Sequence, residues 1–271
     1  MIVRKTPADV EKMRVAGRIV AEVLDAVEKS VVPDVTTTAD LNRLAETICR
    51  DRGGYPTFLG YNAFPAAACI SVNEVVVHGI PGGRVLRSGD LVSFDFACTL
   101  NGFVADAAIT IPVGDVSPEA RRLLGVTREA LYRGIAKARV GARMGEVSSA
   151  IQRYVESAGF SIVRSMVGHG VGRTLHEDPE VPNWGKPVQG IRLIEGMTLA
   201  IEPMVNAGKR DTRTLDDKWT VVTKDGSLSA HFEHTVALTK RGADILTLPF
   251  GATGLHGKPL LPQDANPTVA I

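Results

Sequence analysis

Four carboxylates stand where a folded chain tolerates them least, inside apolar runs with the look of strands. Asp95 lies in Asp90-Leu-Val-Ser-Phe-Asp95-Phe-Ala and Asp106 in Phe103-Val-Ala-Asp106-Ala. Glu202 lies in Thr198-Leu-Ala-Ile-Glu202-Pro203, and Glu233 in Ser229-Ala-His-Phe-Glu233-His-Thr-Val. A carboxylate taken out of water without a partner is strongly destabilising. No comparable set of lysines or arginines lies inside these runs to neutralise them. Together the four carry a charge of about −4, which two divalent ions would balance. An oxygen-rich site with an imidazole suits Mn²⁺, Co²⁺, Fe²⁺ or Zn²⁺ without choosing among them, and an imidazole among the ligands argues against calcium.

The first two carboxylates flank Asn101-Gly102, a hairpin signal between apolar runs. A two-residue loop at Leu100-Asn101 would set Asp95 opposite Asp106. A loop at Asn101-Gly102 would make them diagonal neighbours on the same face. In either register they approach to roughly 5 Å or a little more, close enough to need a shared proton or a cation. The alternative for this stretch alone is two solvated aspartates on an exposed hairpin face.

Five of the six histidines, His78, His169, His176, His231 and His234, fall in the same motifs, and His256 falls near the end of the chain. His169 sits in Val167-Gly-His169-Gly-Val-Gly172, where glycines allow close packing and bring the imidazole into a crowded site. A lone histidine in such a turn is more often structural; beside four buried carboxylates it becomes a candidate ligand. His176 follows in Thr174-Leu-His176-Glu-Asp-Pro179, which is not the HExxH spacing. His78 ends the apolar run Val75-Val-Val-His78, at an expected strand mouth.

Thr6-Pro7-Ala-Asp9 opens a helix that periodicity carries to about Val32-Pro33. A second helix follows Thr37-Thr38-Ala39-Asp40 and stops at Gly53-Gly54. Strand-like runs cover 68–77, 90–97 and 103–113. Ser117-Pro118-Glu119 opens a third helix, residues 144–158 form a fourth, and strand-like runs follow at 197–205, 218–223 and 229–238. Two helices and then three strands, occurring twice, predict a duplicated α+β unit. The expected layout is one catalytic domain, residues 1–250, in halves of about 1–115 and 116–250. A Gly- and Pro-rich tail, 251–271, follows.

The net charge of +1 leaves no footprint for DNA or an acidic membrane surface. Cys49, Cys69 and Cys98 are odd in number and scattered, which fits a reducing compartment, and no apolar run is long enough to span a bilayer. The expectation is a cytoplasmic protein.

These motifs in order resemble type I methionine aminopeptidases over roughly residues 5–248. The resemblance rests on Cys69-Ile-Ser-Val-Asn-Glu-Val-Val-Val-His78-Gly-Ile-Pro81, the Asp95 and Asp106 hairpin, and Gly168-His169-Gly-Val-Gly172. It continues through His176-Glu177, Ala200-Ile-Glu202-Pro203, Trp219-Thr-Val and Phe232-Glu233-His234-Thr235. It implies the pita-bread (creatinase/aminopeptidase) fold, α+β, with two pseudo-twofold-related halves of a helix pair and antiparallel strands. It also implies two divalent metal ions. Asp106 and Glu233 would bridge them, Asp95 would complete one site, and His169 with Glu202 the other. His78 and His176 match the outer histidines that contact substrate. Tyr61, Phe64, Cys69 and Trp219, with Phe58, would line the methionine side-chain pocket. The chain departs from the pattern at Phe64, where a tyrosine is expected, at Leu175, where an aromatic is expected, and at His231, where a glutamine is expected. By strand parity His231 lies on the Glu233 face, placed to tune metal affinity.

The implied activity is removal of the initiator methionine from nascent polypeptides when the second residue is small. The metals would activate water, Glu202 would move its proton, and His78 and His176 would steady the reacting amide. The resemblance implies the short bacterial-type form and a monomer, and leaves open a transient contact with the ribosome. The rivals are an Xaa-Pro peptidase of the same fold and a non-catalytic relative that binds ribosomes or RNA.

Overall fold

Threonine caps set the first two helices. In the computed structural model, which describes residues 2–248, α1 (Pro7–Ser30) starts at Thr6. The Thr6 hydroxyl accepts from Asp9 N, and the Asp9 carboxylate accepts from Thr6 N. Thr37 and Asp40 repeat the arrangement at α2 (Thr38–Asp51). Ser117 caps α3 (Pro118–Lys137), with Pro118 at the first helical position. Glu146 accepts from Arg143 N at the start of α4 (Met144–Ser157). The four helices match the expected ones within a few residues.

Strands β1 (Tyr55–Pro56), β2 (Cys69–Val72), β3 (Val75–Val77), β4 (Leu91–Leu100) and β5 (Phe103–Pro112) lie between the two helix pairs. After α4 come β6 (Ser161–Ile162), β7 (Gly168–Gly170), β8 (Glu177–Val181), β9 (Thr198–Ile201) and β10 (Met204–Asn206). The series ends with β11 (Thr212–Thr214), β12 (Val221–Thr223), β13 (Ser229–His231), β14 (His234–Thr239) and β15 (Gly242–Ile245). The described residues thus hold five strands after the first helix pair and ten after the second, where three and three were expected. The extra strands have two to five residues, too short for alternation to register in the sequence.

Every strand pairing is antiparallel, and the β4–β5 hairpin is the longest ladder. Asn101 and Gly102 have φ of 50° and 75°, as a two-residue primed turn requires, and Leu100 faces Phe103. That register pairs Asp95 with Ala108 and Ala97 with Asp106, so the aspartates are diagonal neighbours. The second of the two registers open in the sequence is the one adopted.

Three expected continuous strands are broken: the run at 68–77 splits into β2 and β3 at Asn73-Glu74, and two others split at carboxylates of the four singled out in the sequence. The run at 197–205 splits into β9 and β10 at Glu202-Pro203, because Pro203 has no N–H to continue a ladder. The run at 229–238 splits into β13 and β14 at Phe232-Glu233. Each break moves the chain between sheets: β9 pairs with β14 and β7, whereas β10 pairs with β13 and β6. Glu233 also exchanges main-chain bonds with Ala108 of β5, at 2.9 and 3.4 Å.

Packing fixes this frame. Val20, Val23, Leu24 and Val27 of α1 and Leu41 and Ala45 of α2 bury against Phe94, Phe96 and Ala107 of the hairpin. Leu131, Ile135, Val147 and Ile151 of α3 and α4 bury against Leu199, Ile201, Val236 and Leu238. The three cysteines are free and buried. Residues 251–271, expected to be a tail, lie outside the described residues.

Candidate metal centre

The four carboxylates converge from two kinds of support. Asp95 and Asp106 project from one face of the β4–β5 ladder. Glu202 and Glu233 project from two of the strand breaks, where the chain crosses between sheets. His169 arrives on β7, a three-residue strand rather than the expected turn. Its neighbouring glycines are required for that approach. A Cβ at Gly168 would lie 2.3 Å from Ala200 O, and one at Gly170 would lie 2.3 Å from Asp178 O. The glycine-rich signal therefore has the cause read from it: backbone packing that delivers an imidazole.

One potential ligand atom each from Asp106, His169 and Glu233 lie within 4.8 Å of one another. His169 Nε2 is 3.6 Å from Glu202 Oε1 and 4.0 Å from Asp106 Oδ2. On its other edge, Nδ1 lies 2.9 Å from the carbonyl of Gly170. A carbonyl only accepts, so Nδ1 carries the proton, and the neutral ring presents a bare Nε2 lone pair to the carboxylates. Burial pushes the His169 pKa down to about 3, which keeps that lone pair free.

Lone pairs facing lone pairs call for a cation. Asp95 Oδ1, Asp106 Oδ1 and Glu233 Oε1 are buried without any hydrogen-bond partner. Burial, reinforced by the Glu202 charge, pushes the Asp106 pKa up to about 7, and burial pushes Glu202 up to about 8. Asp95 and Glu233 are driven well above the usual carboxylate range by burial, then by the Asp106 charge. A divalent ion among them would supply what each orphaned oxygen lacks, and the donor set of carboxylates with one imidazole fits such an ion.

The carboxylates line a cavity of about 180 Å³. All twelve residues singled out in the sequence line it: Asp95, Asp106, His169, Glu202, Glu233, His78, His176, Phe58, Tyr61, Phe64, Cys69 and Trp219. Phe64 and Trp219 meet edge to face, 5.1 Å between ring centres, and Cys69 is the cross-strand partner of Asp95. His176 Nδ1 lies 2.6 Å from the Tyr61 hydroxyl, and its ring packs 4.3 Å from that of His169. His78 leaves β3 with φ of 60°, a strained value for a non-glycine residue, and faces Trp219.

Two further lining residues are Asn62 and Leu175. Leu175 was noted in the sequence only as a departure, and Asn62 was not noted. Its signal was Gly60-Tyr61-Asn62-Ala63, a turn in which Asn62 takes φ of 46°. His231 lies behind the site, its Nε2 3.4 Å from Glu202 Oε2; strand parity with Glu233 does not carry across the break at Phe232-Glu233 that separates them. His234 turns away from the cavity to Tyr132 and Thr247, at 3.2 and 2.9 Å.

Comparison with known proteins agrees with this geometry. Residues 11–240 match the sequence profile of metallopeptidase family M24. Methionine aminopeptidase 1 of Bacillus subtilis is 52% identical over 247 residues, covering 91% of this chain and 99% of the relative. The methionine aminopeptidase of Escherichia coli K12 is 45% identical, covering 90% of this chain and 93% of its own. The crystal structure of a methionine aminopeptidase from Thermotoga maritima superposes with a TM-score of 0.90 at 47% identity, over 92% of this chain and all of that one. A prolidase from Pyrococcus furiosus, with a TM-score of 0.70 at 22% identity, shares the pita-bread fold; 90% of this chain aligns with 65% of that one. Carboxylates that the fold cannot leave unneutralised and a profile match along most of the length lead to one assignment: the chain belongs to metallopeptidase family M24.

Proposed function

We propose that the protein is a methionine aminopeptidase that removes the initiator methionine from nascent polypeptides when the second residue is small. One observation carries the reading beyond the family. The carboxylate–imidazole cluster lines a cavity whose remaining walls include aromatic rings, a leucine and a thiol, surfaces that suit a single thioether side chain.

Five residues would hold two divalent ions: Asp106 and Glu233 between them, Asp95 on one, His169 and Glu202 on the other. Bound there, Co²⁺, Mn²⁺, Fe²⁺ or Zn²⁺ would supply Lewis acidity, making a water nucleophilic near neutral pH and polarising the scissile carbonyl. Glu202 would take the proton from the attacking water and return it to the leaving amine, so that the peptide C–N bond breaks to an acid and a free amine. His78 and His176 flank the cavity as hydrogen-bonding groups for the reacting amide and the oxygen on which charge builds. The Tyr61 hydroxyl fixes the ring of His176 for that role.

The chain would act as one catalytic domain over residues 1–250, with halves meeting near residues 115 and 116; ligands drawn from both sides of that boundary support the division. A cytoplasmic location fits three unpaired cysteines and the lack, among the described residues, of a helix long and apolar enough to cross a membrane. A monomer in transient contact with the ribosome fits a nascent-chain substrate.

The test is methionine release from Met-Ala-Ser and Met-Leu-Ser after stripping metal and restoring Mn²⁺ or Co²⁺. Metal-dependent release from the first peptide only is expected. No release under any metal would overturn the proposal and direct attention to Xaa-Pro peptides.

A further inference from the structure

We propose that His231 is a positioning residue for Glu202, its Nε2–H holding one carboxylate oxygen so that the other stays turned toward His169 and the metal. The inference rests on the functional reading above, in which Glu202 is both ligand and proton carrier.

His231 closes β13, opposite Met204 of β10, just past the break that carries Glu202. Its main chain is clamped. His231 N donates to Thr110 Oγ1 at 2.8 Å, and the same hydroxyl donates to His231 O at 2.7 Å. Ser93 Oγ lies 2.9 Å from that hydroxyl, so the root of the imidazole is tied to the β4–β5 hairpin. The residue is 1% exposed, and the ring cannot turn out to solvent without unpacking.

Within that fixed frame, Nε2 is buried with no hydrogen-bond partner, and Glu202 Oε2 stands 3.4 Å away. Buried polar atoms rarely remain unpaired. Catalytic hydrogen bonds that start long or misaligned commonly tighten in the reacting complex. Glu202 meanwhile has Oε1 facing His169 Nε2 at 3.6 Å. One carboxylate therefore lies between two imidazoles, with one oxygen toward each.

The imidazoles are not equivalent. His169 commits its proton to the Gly170 carbonyl and offers Glu202 a lone pair. His231 can bring a donor, because the nearby group is an acceptor. A donor on Oε2, with Oε1 left for an ion that Glu202 and His169 would hold, would fix both the orientation and the basicity of the carboxylate. Asn183 Nδ2, at 2.9 Å from Glu202 O, secures the main chain but leaves the carboxylate free to rotate.

The experiment compares wild-type protein with His231→Gln, which keeps an N–H donor, and His231→Leu, which fills space without one. Metal-free protein, its fold checked by circular dichroism, is titrated with Mn²⁺ by calorimetry, and kcat and KM are measured with Met-Ala-Ser. His231→Leu is expected to weaken Mn²⁺ binding by about 10- to 100-fold and to lower kcat more than it raises KM. His231→Gln is expected to restore most of the affinity. Should the leucine variant fail to fold, His231→Met tests the same loss.

Wild-type affinity in a folded leucine or methionine variant would overturn the inference alone. Equal losses in the glutamine and leucine variants would also overturn it, since the imidazole itself would then be required. Wild-type protein that binds no metal would overturn the functional reading and this inference with it.

Discussion

The β4–β5 hairpin and the strand breaks at Glu202 and Glu233 deliver the same chemical group to the same cavity by opposite means. Asp95 and Asp106 are placed by periodicity. Ten paired residues on each side of Asn101-Gly102 leave the aspartates one relative position, and a one-residue slip would put them on opposite faces. Glu202 and Glu233 stand where periodicity stops. They are placed by bonds from distant segments: Asn183 to the Glu202 carbonyl, and Ala108 to the Glu233 main chain. A ladder makes a site by repetition, and a crossing makes one by tethers. The first is stiff against local change, whereas the second depends on a few named contacts.

The largest effects should separate the roles of the two regions. Asp106→Asn in the hairpin is expected to abolish tight metal binding and, with it, activity by three orders of magnitude or more. Glu202→Gln at the crossing is expected to lower kcat by about 10²- to 10⁴-fold, the usual worth of a positioned proton carrier, while some metal is retained. Metal analysis of each purified variant beside its kinetics tests the contrast. Full metal content in Asp106→Asn would undo the bridging assignment, and near-normal turnover in Glu202→Gln would remove it from proton transfer.

A smaller effect should come from cutting a tether. Thr235 Oγ1 accepts from Asp106 N at 2.9 Å and donates to Asp106 O at 2.8 Å, joining β14 to the hairpin. Thr235→Val keeps the shape and leaves two buried main-chain groups unpaired, a cost of about 2–4 kcal/mol. Chemical denaturation would measure that loss, and metal affinity should fall with it. A stable variant with weakened metal binding would show that the tether serves the site more than the fold.

Protons provide a third comparison, between stripped and loaded protein. Asp106 and Glu202 have folded-state pKa values raised to about 7 and about 8 without metal, whereas unfolded carboxyls ionise near the ordinary 4. Between pH 6.5 and 8 the folded state therefore binds more protons than the unfolded state, and stability falls as pH rises. The buried imidazoles of His78, His169 and His231, lowered to about 4, 3 and 3, act at the lower edge of that window and below it: unfolded histidines take up protons there, stability falls with falling pH, and the carboxylate effect is partly offset. Metal-free protein should lose about 1–2 kcal/mol from pH 6.5 to 8, a melting shift of several degrees. Metal-loaded protein, its carboxylates already ionised, should be nearly flat. A rising melting temperature for the stripped protein across that window would contradict the burial assigned to the pair.

The same division governs what the sequence revealed. Helix starts at Thr6, Thr37 and Ser117 were legible because capping is local, and the hairpin was legible because alternation and Asn101-Gly102 agree. The resemblance supplied the expected roles of the remaining site residues, and all of these residues reach one cavity. The strand breaks were not legible. An apolar run through Ile201 or Phe232 reads as continuous, and only tertiary pairing shows that β9 and β10, or β13 and β14, belong to different sheets. Pro203 was the local hint at the first break, and nothing comparable marks the second. Asn62 escaped because its place depends on a left-handed turn meeting the cavity wall.

The smallest expected effect bears most directly on the stiffness of the hairpin. Gly102 has φ of 75°, and a Cβ there would meet nothing within 4 Å, so Gly102→Ala adds backbone strain without a clash. The cost should be about 1 kcal/mol, a melting shift of roughly 2–4 °C in a protein of this size. Asp106 lies four residues from that turn, between the Leu100–Phe103 pair and the farther Leu91–Pro112 pair of the same ladder. The strain should be absorbed at the tip, and Mn²⁺ affinity should remain that of the wild type. If affinity falls with stability, the turn itself sets the separation of the aspartates, and the hairpin depends on a single contact as much as the crossings do.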